Sequence, residues 1–292
     1  MTKALPKVVV LGSLHYDIMM DAPVRPRKGE TVAGRSWRPK CGGKGGNQAV
    51  AAAHRGASAS MIGAVGRDGF GEALLANLDR AGVDRAGVAI LENDASGMSV
   101  AIFDDEGDYG AVIVSGSNLA IAAEQCAEGR LRGADVLVLQ NEIPEDINVA
   151  AASTARRLGL KTILNAAPAR VFTTDLPTFV DVLVVNAIEA EMLGGGPVKS
   201  TTDALQAARR LSRLFAAVLV TAGGDGVAYA DQSGAEHVVA AVPVVVASTH
   251  GAGDMFVGTF ATEMARGATL LASIEAANRA AAKLVSTPEP ER

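Results

Sequence analysis

The sequence is poor in aromatic residues, in cysteine and in any concentration of positive charge. Aromatics are 4% of the 292 residues, which leaves little for stacking the bases of a single strand. The net charge is −5 and no Lys/Arg cluster stands out, so the electrostatic footprint of a nucleic-acid binder is missing. Two cysteines, Cys41 and Cys126, lie far apart and form no CxxC pair. This argues against a disulfide framework or a zinc site, and a reducing compartment fits. His15, His54, His237 and His250 show neither HxxxH nor HExxH spacing, and no GxSxG nucleophile elbow occurs.

Long hydrophobic runs are missing as well. The run Val8 to Leu11 is too short for a signal peptide. The longest uncharged apolar stretch, Val238 to Ala247, is broken by Pro243 and falls short of the roughly 18 residues of a membrane span. These features point to a cytoplasmic, soluble chain with neither membrane nor nucleic-acid partner. Internal repeats, low-complexity tracts and obvious linkers are not found, so residues 1–292 are expected to form a single domain.

What is present is alternation. Short β-branched runs at Val8–Leu11, Ala59–Ile62, Asp135–Leu139, Lys161–Leu164, Val182–Val185 and Ala217–Thr221 read as buried strands. Between and after them, 46–54, 70–80, 144–158, 203–215, 253–265 and 270–284 read as helices, with Pro144 at one start and Gly159 just past the same helix's end. Apolar runs of about five residues alternating with helices predict an α/β fold, a mostly parallel sheet covered on both faces. Two segments break the rhythm. Val24 to Lys40 mixes Pro and Gly with charges, and Gly97 to Gly116 reads as a hairpin around a polar turn at Asp104 to Asp108. Segments of about 16–40 and 97–116 are therefore expected to form a small β lid.

Five segments carry candidate chemistry. Ser248-Thr249-His250-Gly251-Ala252-Gly253-Asp254 opens a helix of small residues. Glycines there let backbone N–H groups approach a ligand, and the helix start adds its positive dipole end. Such a turn makes an anion hole for a transferring phosphoryl group, and a carboxylate beside it can take a proton from an attacking hydroxyl. A tight turn with Asp254 as helix cap reads the same residues equally well. Gly42-Gly43-Lys44-Gly45-Gly46-Asn47-Gln48-Ala49 can wrap a polar ligand or be a flexible loop before a helix, but it has neither Walker A spacing nor a dinucleotide fingerprint. Gly12 to Asp17 follows the first strand, where open α/β sheets bind ligands. Asn186 and Glu189 follow the strand at 182–185, where they can order the waters of Mg²⁺ or simply begin a helix. Thr221-Ala222-Gly223-Gly224-Asp225-Gly226 can cradle phosphates or turn a hairpin into Val227 to Ala230.

Taken in order from about Val8 to Leu284, these segments resemble the ribokinase-like (PfkB) carbohydrate kinases. The likeness rests on a GGKGxNQA-type segment at 42–49 and GAGD at 251–254. A GSxNxD-type segment near 12–17, an NPAPA-type segment at 165–169, NxxE at 186–189 and Thr-x-Gly at 221–223 follow the family order. The resemblance implies a three-layer α/β/α fold with a small β lid, MgATP as phosphoryl donor, and frequent pairing of two copies through the lid. It implies that Asp17, Gly43, Lys44, Asn47 and Glu142 hold sugar hydroxyls, with His15 in the same pocket. Asn186, Glu189, Thr221, Gly223, Gly224, Gly226 and Asn278 lie near the nucleotide or its metal by the same likeness. Gly251, Ala252 and Gly253 supply the anion hole and Asp254 the base. The implied reaction is ATP-dependent phosphorylation of a primary hydroxyl on a small sugar, ribose first. Another sugar, a nucleoside, or a non-catalytic sugar-binding regulator on the same fold are the rival readings.

Three departures stand out. His15 replaces the family's usual Asn, Ser248 replaces its usual Asp, and the tail after Val285 lacks a Gly-Ala loop. The first bears on which sugar is taken. The others bear on a monovalent cation such as K⁺, for which Ser248 and His250 are the candidate ligands here.

Overall fold

Strand β1 (Lys7–Leu11) has apolar side chains on both faces. Val8 and Val10 enter one core, Val9 and Leu11 the other. A strand of that kind is stable only with helices above and below it. The computed structural model of the chain, which describes residues 5–106 and 109–288, has this arrangement. Strand β1 lies inside a nine-stranded sheet with β4 (Ser58–Gly66) and β5 (Asp84–Leu91) on one side. On the other side follow β8 (Val136–Gln140), β9 (Lys161–Asn165), β10 (Val182–Asn186), β11 (Ala217–Thr221), β12 (Gly226–Asp231) and β13 (Glu236–Ala240). Pairing is parallel from β5 through β11 and antiparallel for the last two strands.

Helices α1 (Lys44–His54), α2 (Gly69–Arg80), α8 (Ala252–Ala265) and α9 (Leu270–Ser286) cover one face through Ala49, Leu74, Leu78, Phe260 and Ile274. Helices α4 (Glu145–Leu158) and α7 (Thr201–Leu211) cover the other through Ile147, Ala151, Ala207 and Leu211. Short helices α3 (Glu128–Leu131), α5 (Leu176–Phe179) and α6 (Ala187–Ala190) fill connections. The expected three layers are present. Pro144 caps the start of α4, and Gly159 ends it at φ 75°. Among the described residues no helix is long and apolar enough to cross a membrane.

A second sheet, in the order β3-β2-β6-β7, stands apart from the first. It consists of β2 (His15–Asp21), β3 (Ser36–Gly42), β6 (Gly97–Phe103) and β7 (Tyr109–Val114). The hairpin expected over 97–116 is β6–β7, ending at Val114, and residues 107 and 108 of its turn lie outside the described residues. Some boundaries differ from the sequence reading. The loop expected through Asp17 is already strand from His15, because residues 15–21 pair with both β3 and β6. Strand β5 was not expected, since its burial is mostly partial. Helix α7 starts at Thr201, where the Ser200 side chain accepts from Asp203 N, and ends at Leu211 instead of reaching Phe215.

Helices α1 and α8 approach closely at Gly258. A Cβ there would lie 2.6 Å from Ala51 Cβ and 2.7 Å from the Gln48 carbonyl oxygen. Alanine is the better helix former by about 1 kcal/mol, but here it would force the two helices apart. Gly258→Ala is expected to lower stability by about 1–3 kcal/mol net, as overpacking does. The urea midpoint checks this, and an unchanged or higher midpoint would show that the helices can separate freely.

Candidate active site

Strand order reverses between β1 and β8: β4 and β5 follow β1 in one direction, β9 to β11 follow β8 in the other. A crevice opens beyond the carboxyl ends of strands at such a switch point. Here a cleft of about 980 Å³ lies between the main sheet and the lid, lined by His15, Asp17, Lys44, Asn47, Glu142 and Asp254 among others. Gly43, Ser248, His250 and Gly251 also reach it. Four separated sequence segments thus meet in one place.

The corner between β1 and β2 is held by Asn118. Its Oδ1 accepts from Leu14 N and its Nδ2 donates to Leu14 O, both at 2.9 Å. Gly43 abuts that corner at φ 83°, where a Cβ would lie 2.7 Å from His15 N. Only glycine lets the start of α1 touch the β1–β2 turn. Glu142, just past β8, ties the same corner together. Its Oε2 accepts from Lys44 N at 2.9 Å and from the Ser13 hydroxyl. His15 Nδ1 lies 3.9 Å from this oxygen, and the imidazole is buried at 4% exposure.

Asp17 projects from β2 with its Oδ1 accepting from the Ser99 hydroxyl at 2.6 Å. Burial pushes its carboxyl up. Ser99, His15 and His250 pull it back, and Glu142 adds to the rise. Asp254 sits in the first turn of α8, directly after Gly251 (φ 80°), Ala252 and Gly253. Its Oδ2 accepts from Asn47 Nδ2 and its Oδ1 from Gln48 Nε2, each at 2.9 Å. Burial pushes this carboxyl up too, while Lys44, Asn47 and Gln48 hold it down and Glu142 raises it. The first amides of α8 have no intrahelical acceptor, as at any helix start. A carboxylate, a cation and the N–H groups of a helix start, of which Ala252 N donates to Thr249 O at 3.3 Å, therefore lie together at one end of the cleft, a combination suited to moving a proton while negative charge is transferred.

The remaining predicted residues lie outside this cleft. Asn186 ends β10 and forms a capping box on α6: Glu189 N donates to Asn186 Oδ1 at 2.8 Å, and Asn186 N to Glu189 Oε2 at 2.9 Å. Burial raises the Glu189 carboxyl, and Asn186 and Lys44 lower it, so the two groups of residues feel each other. No group of three or more metal-binding side chains occurs among the described residues. A Mg²⁺ held mainly by its waters and a nucleotide's phosphates would need only outer contacts here, for which Asn186 and Glu189 are the candidates. Thr221 donates to Val185 O at 3.4 Å. Gly223 and Gly224 form a 3₁₀ turn facing open space, and the chain then enters the β11–β12 hairpin. Gly226 is structural, since a Cβ there would lie 2.1 Å from Val239 O. Asn278 is buried on α9 and donates to Ala240 O at 2.8 Å, fastening that helix to the end of β13.

Sequence reasoning gave no role to Gln48, Gln140, Asn165, Ser13, Ser99 or Asn118, all of which brace the cleft. One signal was available: Gln140, Asn165 and Asn186 are amides closing three successive apolar strands.

The raised Asp17 carboxyl has a stability consequence. When the folded pKa lies above the unfolded one, the charge costs stability above the folded value, and that cost vanishes below the unfolded value. Asp17→Asn should raise the thermal midpoint at about pH 7. The gain should fade as the pH falls toward 3.8, the ordinary Asp value. A gain of the same size at both ends would contradict the assignment.

The sequence profile of the pfkB family carbohydrate kinases matches residues 5–291. Ribokinase of Bacillus subtilis is 35% identical over 276 residues, covering 94% of this chain and 91% of that protein. Ribokinase of Schizosaccharomyces pombe is 32% identical over 287 residues, covering 94% and 90%. Among solved structures, Arabidopsis thaliana ribokinase complexed with ribose and ATP superposes with a TM-score of 0.90 at 28% identity, covering 97% of this chain and 94% of that one. The match spans both the main sheet and the lid, and the chain belongs to the pfkB family of carbohydrate kinases.

Proposed function

We propose that this carbohydrate kinase transfers the γ-phosphoryl group of MgATP to a primary hydroxyl of ribose. The observation that carries the reading is the position of Asp254, with its carboxylate aimed by two amides at the start of α8 and Lys44 close by. The relatives named above support the choice of ribose and ATP. Asp17, Gly43, Lys44, Asn47 and Glu142, with His15, would orient the sugar hydroxyls. Asp254 would take the acceptor hydroxyl's proton as that oxygen bonds to the γ-phosphorus and ADP leaves. The amides of Gly251, Ala252 and Gly253 at the start of α8 would meet the charge on the transferring group. Asn186, Glu189, Thr221, Gly223 and Gly224 would lie along the nucleotide, with Gly226 and Asn278 supporting that wall from behind. The whole chain would act as one cytoplasmic kinase unit. Exposed Trp37, Val112 and Val114 on the lid support pairing of two copies there.

A nucleoside is the second reading, because Met19, Ala101, Phe103 and Ile113 give the cleft an apolar wall. ADP release over a panel of pentoses, hexoses and nucleosides separates the two. Ribose is expected to give the highest kcat/KM, and a nucleoside in that place would overturn the reading. In the same assay Asp254→Asn should lower kcat by about 10²–10⁴-fold, the worth of a general base, while sugar and ATP still bind. A near-normal kcat would remove Asp254 from the role.

The monovalent-cation requirement should be weak. Ser248 offers a hydroxyl where the family usually has a carboxylate, and fewer charged oxygens hold a hard cation less well. At the C-terminal end of α9, the Val285 carbonyl accepts from Ala247 N at 2.7 Å and Ser248 N at 3.2 Å, which engages an oxygen from that side. Initial rates should change little when potassium is exchanged for a bulky organic cation at constant ionic strength. Strong, saturable activation by potassium would contradict this.

A further inference from the structure

We infer that Gln48 is a positioning residue for the Asp254 base, fixed in turn by a chain of buried amides along the carboxyl ends of β8, β9 and β10. The inference rests on the role proposed for Asp254 above. Gln48 lies on α1 and is fully buried, as is Gln140 at the end of β8. Asn165, at the end of β9, is 7% exposed. Gln48 Nε2 donates to Asp254 Oδ1 at 2.9 Å and to Asn165 Oδ1 at 3.1 Å. Gln48 Oε1 accepts from Gln140 Nε2 at 2.8 Å. Asn165 Nδ2 donates to the Val184 carbonyl on β10 at 3.1 Å.

The direction of every bond in this chain is set from its ends. A backbone carbonyl can only accept, so Asn165 must turn its Nδ2 toward Val184 and its Oδ1 toward Gln48. A carboxylate also only accepts, so Gln48 must present Nε2 to Asp254. Two acceptors on one side leave Gln48 Oε1 facing the other way, where the Gln140 amide meets it. A flipped Gln48 would place its oxygen against both Asp254 and Asn165. The amide is thus held in one orientation, and with it the plane of the Asp254 carboxylate. In a buried setting the links that are made hold such a chain in place, because each broken link strands a polar group.

Gly12 fits the same picture. A Cβ at Gly12 would lie 1.8 Å from Gln140 Oε1, so a bare backbone at the end of β1 leaves the space this amide fills. Among the described residues Gln140 Oε1 has no hydrogen-bond partner, and the side chain is linked to Gln48 by the bond from its Nε2.

Other groups bear on Asp254. Lys44 on α1 draws its carboxyl toward ionisation, and Asn47 donates to the second oxygen. Glu142 after β8 and Glu189 on α6 press the other way. Gln48 donates to the ionised form, so removing its amide should make Asp254 harder to ionise.

The test uses Gln48→Met, which keeps the length without the amide, and Gln140→Met, which removes the support but leaves the donor. Two quantities are read in each protein: the Asp254 carboxyl titration by ¹³C NMR without substrates, and the pH profile of kcat/KM, which reports the free enzyme. For Gln48→Met the titration and the acid limb of kcat/KM should move together to higher pH by about one unit. The plateau kcat should fall about tenfold, the size of one charge-assisted hydrogen bond, with KM for sugar and ATP nearly unchanged. Gln140→Met should show a smaller shift in the same direction, and it carries the test if Gln48→Met does not fold. An unmoved titration in the folded variants overturns the inference. A titration that moves while the kcat/KM limb stays fixed overturns the base role of Asp254, and the positioning role with it.

Discussion

Helices α1 and α8 can lie side by side only because Gly258 has no side chain, with the Gln48 carbonyl and Ala51 filling the space a Cβ would need. Most of the site depends on this approach. It brings the start of one glycine-rich helix next to the start of another, so that Asn47 and Gln48 reach the Asp254 carboxylate from across the gap. The contact lies on the covered face of the sheet, among Ala49, Ala52, Phe260 and Ala261, where packing resists separation. A small loss of register between these helices would shift two donors relative to one acceptor, and hydrogen bonds weaken steeply with angle.

The sheet supplies the second part of the arrangement. Its order reverses between β1 and β8, so loops after those strands diverge and leave room for a ligand. The lid sheet grows directly out of β1 through the Asn118-clamped corner at Leu14. Asp17 therefore hangs over the cleft from a strand that pairs on both sides, while Glu142 braces the floor. Both Asp17 and Asp254 are carboxyls that burial pushes up, each held back by a neutral donor, with the Lys44 cation also acting on Asp254. Sites of this kind give up some stability to keep charge where a ligand will meet it.

Much of this could be read from the amino-acid order. Apolar runs such as VVVL and VLVV marked the inner strands, and the GAGD turn and glycine-rich 42–49 segment marked the ends of α8 and α1. Strand β5 escaped notice, and β2 was legible only as part of the expected lid segment, because DRAGVAIL and HYDIMMD carry polar residues at positions a buried strand would keep apolar. These strands lie in the lid sheet and at the edge of the main sheet, where burial is partial. Local sequence could not show Gln48, Gln140 and Asn165 acting together, since they lie 92 and 117 residues apart along the chain. Nor could it show that Asn278 and Gly226 serve the backbone around β13.

The central claim is that Asp254, and not Asp17 or Glu142, faces the hydroxyl that receives the phosphoryl group. A crystal structure of the protein with ribose and a non-hydrolysable ATP analogue tests this most directly. The account predicts the primary hydroxyl within roughly 2.6–3.2 Å of an Asp254 carboxylate oxygen, with the γ-phosphate turned toward the first amides of α8. A primary hydroxyl bonded to Asp17 or Glu142, with Asp254 remote from both substrates, would contradict it.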